Sequence, residues 1–269
     1  MDRPTLSIVV PVYNERGRLP IFLDAMAREG AGDCRAAGTE LVEIVVVDDG
    51  SGDGTHELLL ERAAAEPLIK PVLTNTNRGN GAVVAAGVRQ AVGDLTLVTD
   101  VDLSTPLSEL PKLAAPVAAG AGVAIGSRAL ERDLVERSLY RNAMSRGYNL
   151  LVRRLTGLPY RDTQCGFKLV RSHIGRALVR EQLIERYAFD VETLLRARAA
   201  GVKVVEVPVV WRQDEDSRVT PLRTAAKMAA DTIWIAWRMR RLGPPAAVRR
   251  PRGARRQPAR PLRRQGRRV

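Results

Sequence analysis

Short runs of β-branched residues and leucine, each stopping at polar or acidic residues, do most to limit what this chain can fold into. They are Leu6-Ser-Ile-Val-Val-Pro-Val12, Glu43-Ile-Val-Val-Val47 and Leu95-Thr-Leu-Val98, with a shorter one starting at Val72-Leu73. An unbroken apolar run keeps no face for water, so each is expected to be a strand buried on both sides. Between the runs the spacing turns helical: over 18–29 through Leu19, Phe22, Leu23 and Met26, over 56–65 behind Thr55 as a candidate cap, and from Asn77-Arg-Gly-Asn-Gly81 to about Val92. Strands alternating with helices predict βαβ units, and hence an α/β fold with a mainly parallel sheet flanked by helices. Open sheets of this kind bind ligands beyond the carboxyl ends of their strands. Tyr13-Asn-Glu15, Asp48-Asp49 and Asp100-Val-Asp102 all fall at such ends.

The charge is unevenly spread. The chain has 269 residues with 43 Lys and Arg against 30 Asp and Glu. Thirteen of those bases are arginines in 238–269, a stretch with no acid, which leaves the remaining 30 bases opposite 30 acids. The net charge of +13 therefore belongs to the tail, and the body is formally neutral. The tail from Gly243, rich in Pro, Gly and Arg, is expected to be disordered. Cys34 and Cys165 have no metal-site or disulfide-framework spacing and read as reduced thiols. No stretch approaches the roughly 20 apolar residues of a membrane span, and the N-terminus has no signal-peptide pattern.

The second half continues the alternation. Val123-Ala-Ile-Gly126 reads as a strand, followed by Ser127-Arg128. Residues 137–155 read as a long basic helix; from Arg137 to Arg161 there are six arginines and no acid. A loop with Thr163-Gln-Cys-Gly-Phe-Lys168 is expected next, then helices, with Asp190 beginning the one at 190–200. The run 202–211 reads as a late strand, at an edge because of Pro208. Residues 220–241 form an amphipathic helix bearing Trp234 and Trp237 beside arginines. The expected organisation is a catalytic domain over 1–219, an amphipathic helix over 220–242 and a tail over 243–269.

The carboxylates at the end of the fourth run are the chemical centre. Residues i and i+2 of a strand share a face, so Asp100 and Asp102 should point the same way. Two carboxylates on one side suit a hard divalent cation that carries substrate phosphates. The sequence Asp48-Asp-Gly-Ser51 is open to two readings, a ligand contact or a turn with an Asx cap. Gly79 and Gly81 permit close backbone approach, but no Gly-Lys-Ser/Thr follows and the loop is not a Walker loop.

Together these residues resemble the family 2 glycosyltransferases, whose fold is the GT-A nucleotide-diphospho-sugar transferase fold. Val9-Val-Pro-Val-Tyr-Asn-Glu15, Asp48-Asp-Gly-Ser51 and Asp100-Val-Asp102 match the family's first landmarks in order. Asp102-Leu-Ser-Thr-Pro106, Gly126-Ser-Arg128, Asp162-Thr-Gln-Cys-Gly-Phe-Lys168 and Phe189-Asp-Val-Glu192 look like the dolichyl-phosphate glucosyltransferase branch, near the mannosyl branch. Mannosyl relatives often carry glutamine where this chain has Ser104, which favours glucose.

The resemblance implies inverting transfer of a hexose, glucose from UDP-glucose, to a polyprenyl or dolichyl phosphate. The alternatives are GDP-mannose as donor, or a family 2 enzyme with another acceptor. It implies Mg²⁺ or Mn²⁺ on Asp102 and Asp100, with Asp100 also near the ribose. Pro11, Tyr13, Glu15 and Asp49 would line the base and ribose pocket. Arg128, Arg141 and Ser145 would hold the acceptor phosphate, as arginine's planar fork suits phosphate oxygens. For Arg141 a solvated helix face is the other reading. Asp190 would orient the acceptor or act as a base, or else cap its helix. Gln164 and Lys168 could touch donor or acceptor.

The expected partners are a nucleotide sugar, a polyprenyl phosphate and an anionic membrane surface, with no specific nucleic acid. The chain is expected at the cytoplasmic face as a peripheral protein without a transmembrane helix. Two basic, amphipathic helices and the arginine tail suit an anionic leaflet. A basic arm can also bind nucleic-acid backbones unspecifically, but that would leave the acidic strand ends unexplained. An oxidoreductase would need Gly-x-Gly-x-x-Gly after the first strand, where this chain has Pro11-Val-Tyr-Asn-Glu15.

Overall fold

The computed structural model describes residues 3–130, 139–212 and 221–242. The first half is strand β1 (Thr5–Val12), helices α1 (Leu19–Ala25) and α2 (Ala31–Ala36), β2 (Glu40–Asp48), α3 (Thr55–Ala65), β3 (Ile69–Leu73), α4 (Asn80–Gln90) and β4 (Leu95–Val98). The second half adds α5 (Leu110–Ala118), β5 (Val123–Ser127), α6 (Leu139–Thr156), β6 (Lys168–Arg171), α7 (Ser172–Val179), α8 (Phe189–Ala199), β7 (Val204–Pro208) and α9 (Pro221–Leu242). One π turn at Met26–Gly30 joins α1 to α2, so the helical stretch expected over 18–29 runs on to Ala36.

The strands form one seven-stranded sheet in the order β3-β2-β1-β4-β6-β5-β7. Its pairs are parallel except at β6, which runs against both β4 and β5. The runs in β1, β2 and β4 are buried on both faces, whereas β3, at the edge of the sheet, is partly exposed and ends at Leu73 instead of starting at Val72. Ile8, Val10 and Val12 enter one cluster with Phe22, Leu23 and Leu110, while Val9 turns to the other with Val88, Phe189 and Leu194. Pro208 lies in the edge strand β7, where its missing N–H interrupts no ladder bond beyond it.

Two local expectations are overturned. The stretch after Phe167 is not loop and helix alone, since Lys168–Arg171 is a strand in the middle of the sheet. Four residues are too few to carry a pattern of their own; the strand exists because β4 and β5 both offer ladder partners. Thr55 does not cap α3. It is the first helical residue, and the Asp53 carboxylate accepts its amide at 3.0 Å. Its hydroxyl instead accepts the Glu15 amide at 2.9 Å, which ties the turn after β1 to the start of α3.

The pair Glu192–Arg196 on α8 is an ion pair with both side chains fully buried. Arg196 donates through Nε and Nη2 to Glu192 at 2.8 and 2.6 Å. Glu192 also accepts the amides of Leu183 and Ile184 at 3.0 and 2.7 Å, so it holds the chain entering α8. That segment lies on α4, where Ala82 donates to the Glu185 carbonyl at 2.9 Å and Gln182 to the Gly81 carbonyl at 2.8 Å. A β-carbon on Gly81 would come 2.6 Å from Phe189, so only glycine allows this approach.

Removing one member of a buried ion pair costs about 3–5 kcal/mol, because the other charge is left without its partner. Arg196→Met should therefore lower the thermal midpoint by roughly 6–20 °C for a chain of this size. Urea and thermal unfolding would measure this, and a loss under about 1 kcal/mol would contradict the assigned role.

Candidate active site

The carboxyl ends of β1, β2 and β4 open into one cleft of about 470 Å³. Pro11, Tyr13, Glu15, Asp49, Asp100 and Asp102 all line it. Six residues expected at the donor site from three separate parts of the sequence thus share one cavity. A second cavity of about 180 Å³ adjoins it, sharing Pro11, Asn80, Asp100 and Tyr187, and reaches Gln164, Lys168 and Asp190.

Each segment is held by a local device. Asn14 takes a left-handed conformation (φ 55°), its amide donates to the Ser51 hydroxyl at 2.8 Å, and its side chain accepts the Gly52 amide at 2.9 Å. The β1 and β2 ends are therefore latched together. Asp48 accepts the Ser51 amide at 3.2 Å in a turn of the expected Asx kind. Asp49 is buried, and its two oxygens accept the amides of Arg78 and Gly79, each at 2.8 Å. This carboxylate organises the loop before α4 as well as lining the cleft. Glu15 pairs with Arg18 at 3.2 Å.

Asp100 and Asp102 are not on a strand, because β4 ends at Val98. They lie in the following turn, so period-two alternation does not govern them. The turn brings both to the cleft by another route: Asp102 accepts the Ser104 amide at 2.9 Å, and Leu103 is left-handed (φ 51°). A left-handed leucine carries backbone strain of the kind that gathers at functional sites. Asp100 is open to water in the cleft but walled by protein on its other sides. Withdrawal from bulk water, then the charge of Asp102, push its pKa up to about 6 against the pull of Lys168 and Arg128. Gly166 makes room for it, since a β-carbon there would sit 2.0 Å from Asp100 Oδ2.

Asp190 does not cap α8. The cap position is Ala188, and Asp190 lies in the first turn, buried and paired with Lys168 at 2.8 Å. Burial raises its pKa in spite of Lys168. Lys168, at the start of β6, also donates to the Cys165 carbonyl.

The residues expected at an acceptor phosphate are less gathered. Arg128 grips Asp162 through Nε at 2.6 Å and Nη2 at 3.0 Å, and its guanidinium stacks 5.7 Å from the centre of the Trp211 ring. Burial alone would raise the Asp162 carboxyl, but Arg128 holds it well below the usual carboxylate range. Arg128 does not line either cavity, whereas Trp211 lines the larger one. Ser145 lies half-buried on α6, where its carbonyl accepts from the Asn149 side chain at 3.0 Å. Arg141 is in the first turn of α6, and its side chain falls outside the described residues, as do the expected start of that helix at Arg137 and the tail over 243–269.

Several wall residues escaped the sequence reading. Trp211 follows the carboxyl end of β7, so the strand-end rule could have found it. Arg186 and Tyr187 had no signal, since they reach the cleft only because their loop docks on α4. Away from the cleft, α9 turns Thr232, Ile235 and Ala236 inward and leaves Ile233, Trp234 and Trp237 exposed. Arg241 stacks 5.1 Å from the Trp237 ring, and Tyr148 joins α6 to α9 through Thr232 at 2.9 Å. Among the described residues no helix is long and apolar enough to cross a membrane.

A mainly parallel sheet with carboxylates gathered at its carboxyl ends over one open cleft has the layout of a ligand-binding α/β enzyme. Comparison with known proteins agrees. The sequence profile of Glycosyl transferase family 2 matches residues 7–178. Dolichyl-phosphate beta-glucosyltransferase of Mus musculus is 34% identical over 262 residues, covering 89% of this chain and 80% of the mouse protein. Undecaprenyl-phosphate 4-deoxy-4-formamido-L-arabinose transferase of Pectobacterium atrosepticum is 38% identical over 215 residues, covering 80% of this chain and 62% of that protein. Among solved structures, glucosyl-3-phosphoglycerate synthase from Mycobacterium tuberculosis with Mn²⁺, UDP-glucose and glycerol 3-phosphate superposes with a TM-score of 0.59. It is 17% identical, covers 90% of this chain and 81% of that one, and so speaks for the GT-A fold. The chain belongs to glycosyl transferase family 2 and is a glycosyltransferase.

Gly166→Ala tests the cleft directly. Its new methyl must displace the Asp100 carboxylate or the 163–167 loop. The expected result is a loss of about a hundredfold in kcat/KM, since misplacement of about 1 Å costs that much, with a folded circular dichroism spectrum. Activity within about threefold of the parent would refute the packing role.

Proposed function

We propose that this chain transfers glucose from UDP-glucose to a polyprenyl or dolichyl phosphate, with inversion at the anomeric carbon. One observation carries the proposal: Asp100 and Asp102 share a cleft with Tyr13, Glu15 and Asp49, in a chain 34% identical to a dolichyl-phosphate beta-glucosyltransferase. The Pectobacterium relative is named for another sugar on a polyprenyl phosphate, which supports the acceptor class independently of the sugar.

In this reading the base and ribose lie against Pro11, Tyr13, Glu15 and Asp49, and the diphosphate runs toward Asp100 and Asp102. The two carboxylates fit a divalent cation, Mg²⁺ or Mn²⁺: they are hard oxygen donors, and Asp102 already disfavours the ionised form of Asp100, a repulsion that a cation would relieve. Such an ion supplies Lewis acidity toward the departing nucleoside diphosphate. The acceptor phosphomonoester is largely dianionic at neutral pH, its second pKa being near 6. One of its oxygens bonds to the anomeric carbon as the bond from that carbon to the diphosphate oxygen breaks. No strong base is required, so Asp190, held by Lys168, serves better to orient the reacting groups. Arg128, Arg141 and Ser145 are the proposed acceptor contacts.

The exposed Ile233, Trp234 and Trp237 beside Arg240 and Arg241 support seating α9 on an anionic membrane surface, proposed here to be the cytoplasmic face. Each arginine of the tail lying near that surface would add about 1 kcal/mol. Nucleic acid has no place in this reading.

The deciding assay supplies Mg²⁺ or Mn²⁺, a short polyprenyl phosphate, and UDP-glucose or GDP-mannose, and looks for a lipid-linked sugar. The expected product comes from UDP-glucose. It is lost with a chelator, and Asp102→Ala lowers kcat at least about a hundredfold, the equivalent of several kcal/mol of leaving-group stabilisation. Product from GDP-mannose alone would overturn the sugar, and bound donor without product would overturn the acceptor class.

For the membrane, Trp234→Ala/Trp237→Ala should co-sediment less with vesicles containing anionic lipid, yet keep its rate on a water-soluble short-chain acceptor. Undiminished sedimentation would remove α9 from the interface.

A further inference from the structure

We infer that Glu206, in the edge strand β7, is a positioning residue for the acceptor phosphate: it fixes the loop 161–163, and that loop sets Arg128 and Ser145 relative to each other. This rests on the reading of Arg128 and Ser145 as acceptor contacts and adds what holds them in place.

Glu206 is the one acid in the run 202–211. An ionised group in an otherwise apolar strand is costly unless it has partners. Here the partners are backbone amides. Arg161 donates to both carboxylate oxygens, each at 3.0 Å, and Asp162 donates to Oε1 at 2.7 Å. Bonds to an ionised acceptor are stronger than neutral ones. Residues 157–163 belong to neither helix nor strand, so contacts such as these, rather than a ladder, fix their place.

From this loop two arms reach the proposed contacts. The Asp162 Oδ2 accepts the Arg128 amide at 3.1 Å as well as its Nε at 2.6 Å, so one carboxylate sets both the backbone and the guanidinium of Arg128. The next residue, Thr163, donates through its amide and its hydroxyl to the buried Asn149 side chain on α6, each at 3.2 Å. Asn149 in turn donates to the Ser145 carbonyl one turn earlier in that helix at 3.0 Å. Arg128 follows β5 and Ser145 lies on α6, and the loop joins the two. The strands agree with this, because β7 pairs with β5 and sets Pro208 opposite Ser127. Groups on two elements can hold one phosphate only while those elements keep a fixed spacing.

The test measures acceptor kcat/KM on a water-soluble short polyprenyl phosphate, with Mg²⁺ and a saturating amount of whichever donor sugar the deciding assay selects. It compares the full chain with Glu206→Leu, Glu206→Gln, Arg128→Lys and the double variant Glu206→Leu/Arg128→Lys. Glu206→Leu should lose about 10- to 100-fold on the acceptor, the scale of a misplacement approaching 1 Å, while the donor KM stays within about twofold. Glu206→Gln keeps one acceptor oxygen for the two amides and should lose less than about tenfold. Arg128→Lys keeps the charge opposite Asp162 but gives up the fork, and should also lose about tenfold or more. Because Glu206 acts through Arg128, the double variant should be within about threefold of the worse single one. A loop that served stability alone would lower the thermal midpoint without this selective, non-additive loss.

An unchanged Glu206→Leu enzyme beside a damaged Arg128→Lys enzyme would overturn this inference alone, as would losses that multiply or that fall equally on donor and acceptor. An unchanged Arg128→Lys enzyme would overturn the acceptor role of Arg128, and this inference with it. Should circular dichroism find Glu206→Leu unfolded, Glu206→Gln decides: a loss confined to the acceptor supports the assignment, and none overturns it.

Discussion

Crowded negative charge at the carboxyl edge of the sheet is the constraint on which the site depends. Asp100 and Asp102 share one turn, and Asp190 stands close enough to raise the Asp100 pKa further. Left alone, such a group would protonate or spread apart. Lys168 and Arg128 oppose that tendency, and each is itself held: Lys168 by Asp190 and the Cys165 carbonyl, Arg128 by Asp162. Withdrawal from water, and then the charge of Asp102, still leave Asp100 with a raised pKa. An incompletely neutralised carboxylate beside a second one is what a phosphate-bearing cation would complete, and this is how electrostatics connects the fold to the proposed chemistry.

Backbone packing supports that arrangement as much as charge does. Gly166 stands against the Asp100 carboxylate and Gly81 against Phe189, each at a spacing that no other residue permits. Asp49 spends both oxygens on the loop that leads into α4. Glu192 and Arg196 hold the 181–187 segment from below, and that segment supplies Arg186 and Tyr187 to the cleft wall. Asp49 and the Glu192–Arg196 pair are thus anchors for loops around the site. Substitutions in them should be read through the cleft as well as through stability.

Much of this was legible in the chain before folding. The apolar runs named their own strands, and the polar residues after them named the cleft, because strand direction in a parallel sheet puts all those ends on one side. Pro208 announced an edge strand, and β7 is one. Some details needed the fold. The Asp100–Asp102 pair shares a cleft through a turn with a left-handed leucine, where alternation along a strand had been the expected reason. A helix cap was one reading of Asp190, and the fold disposes of it by putting Ala188 at the cap position. Trp211 was overlooked although the strand-end rule extended to it.

Composition and local pattern determined the α/β class, the direction of the strands and the acidic rim, since burial and strand polarity follow from residue type and order. The tertiary structure alone decided the reversed strand β6, the pairing of Arg128 with Asp162, and the docking of the 181–187 segment on α4. Those contacts join residues far apart in the chain, and no periodicity carries information about a partner that distant.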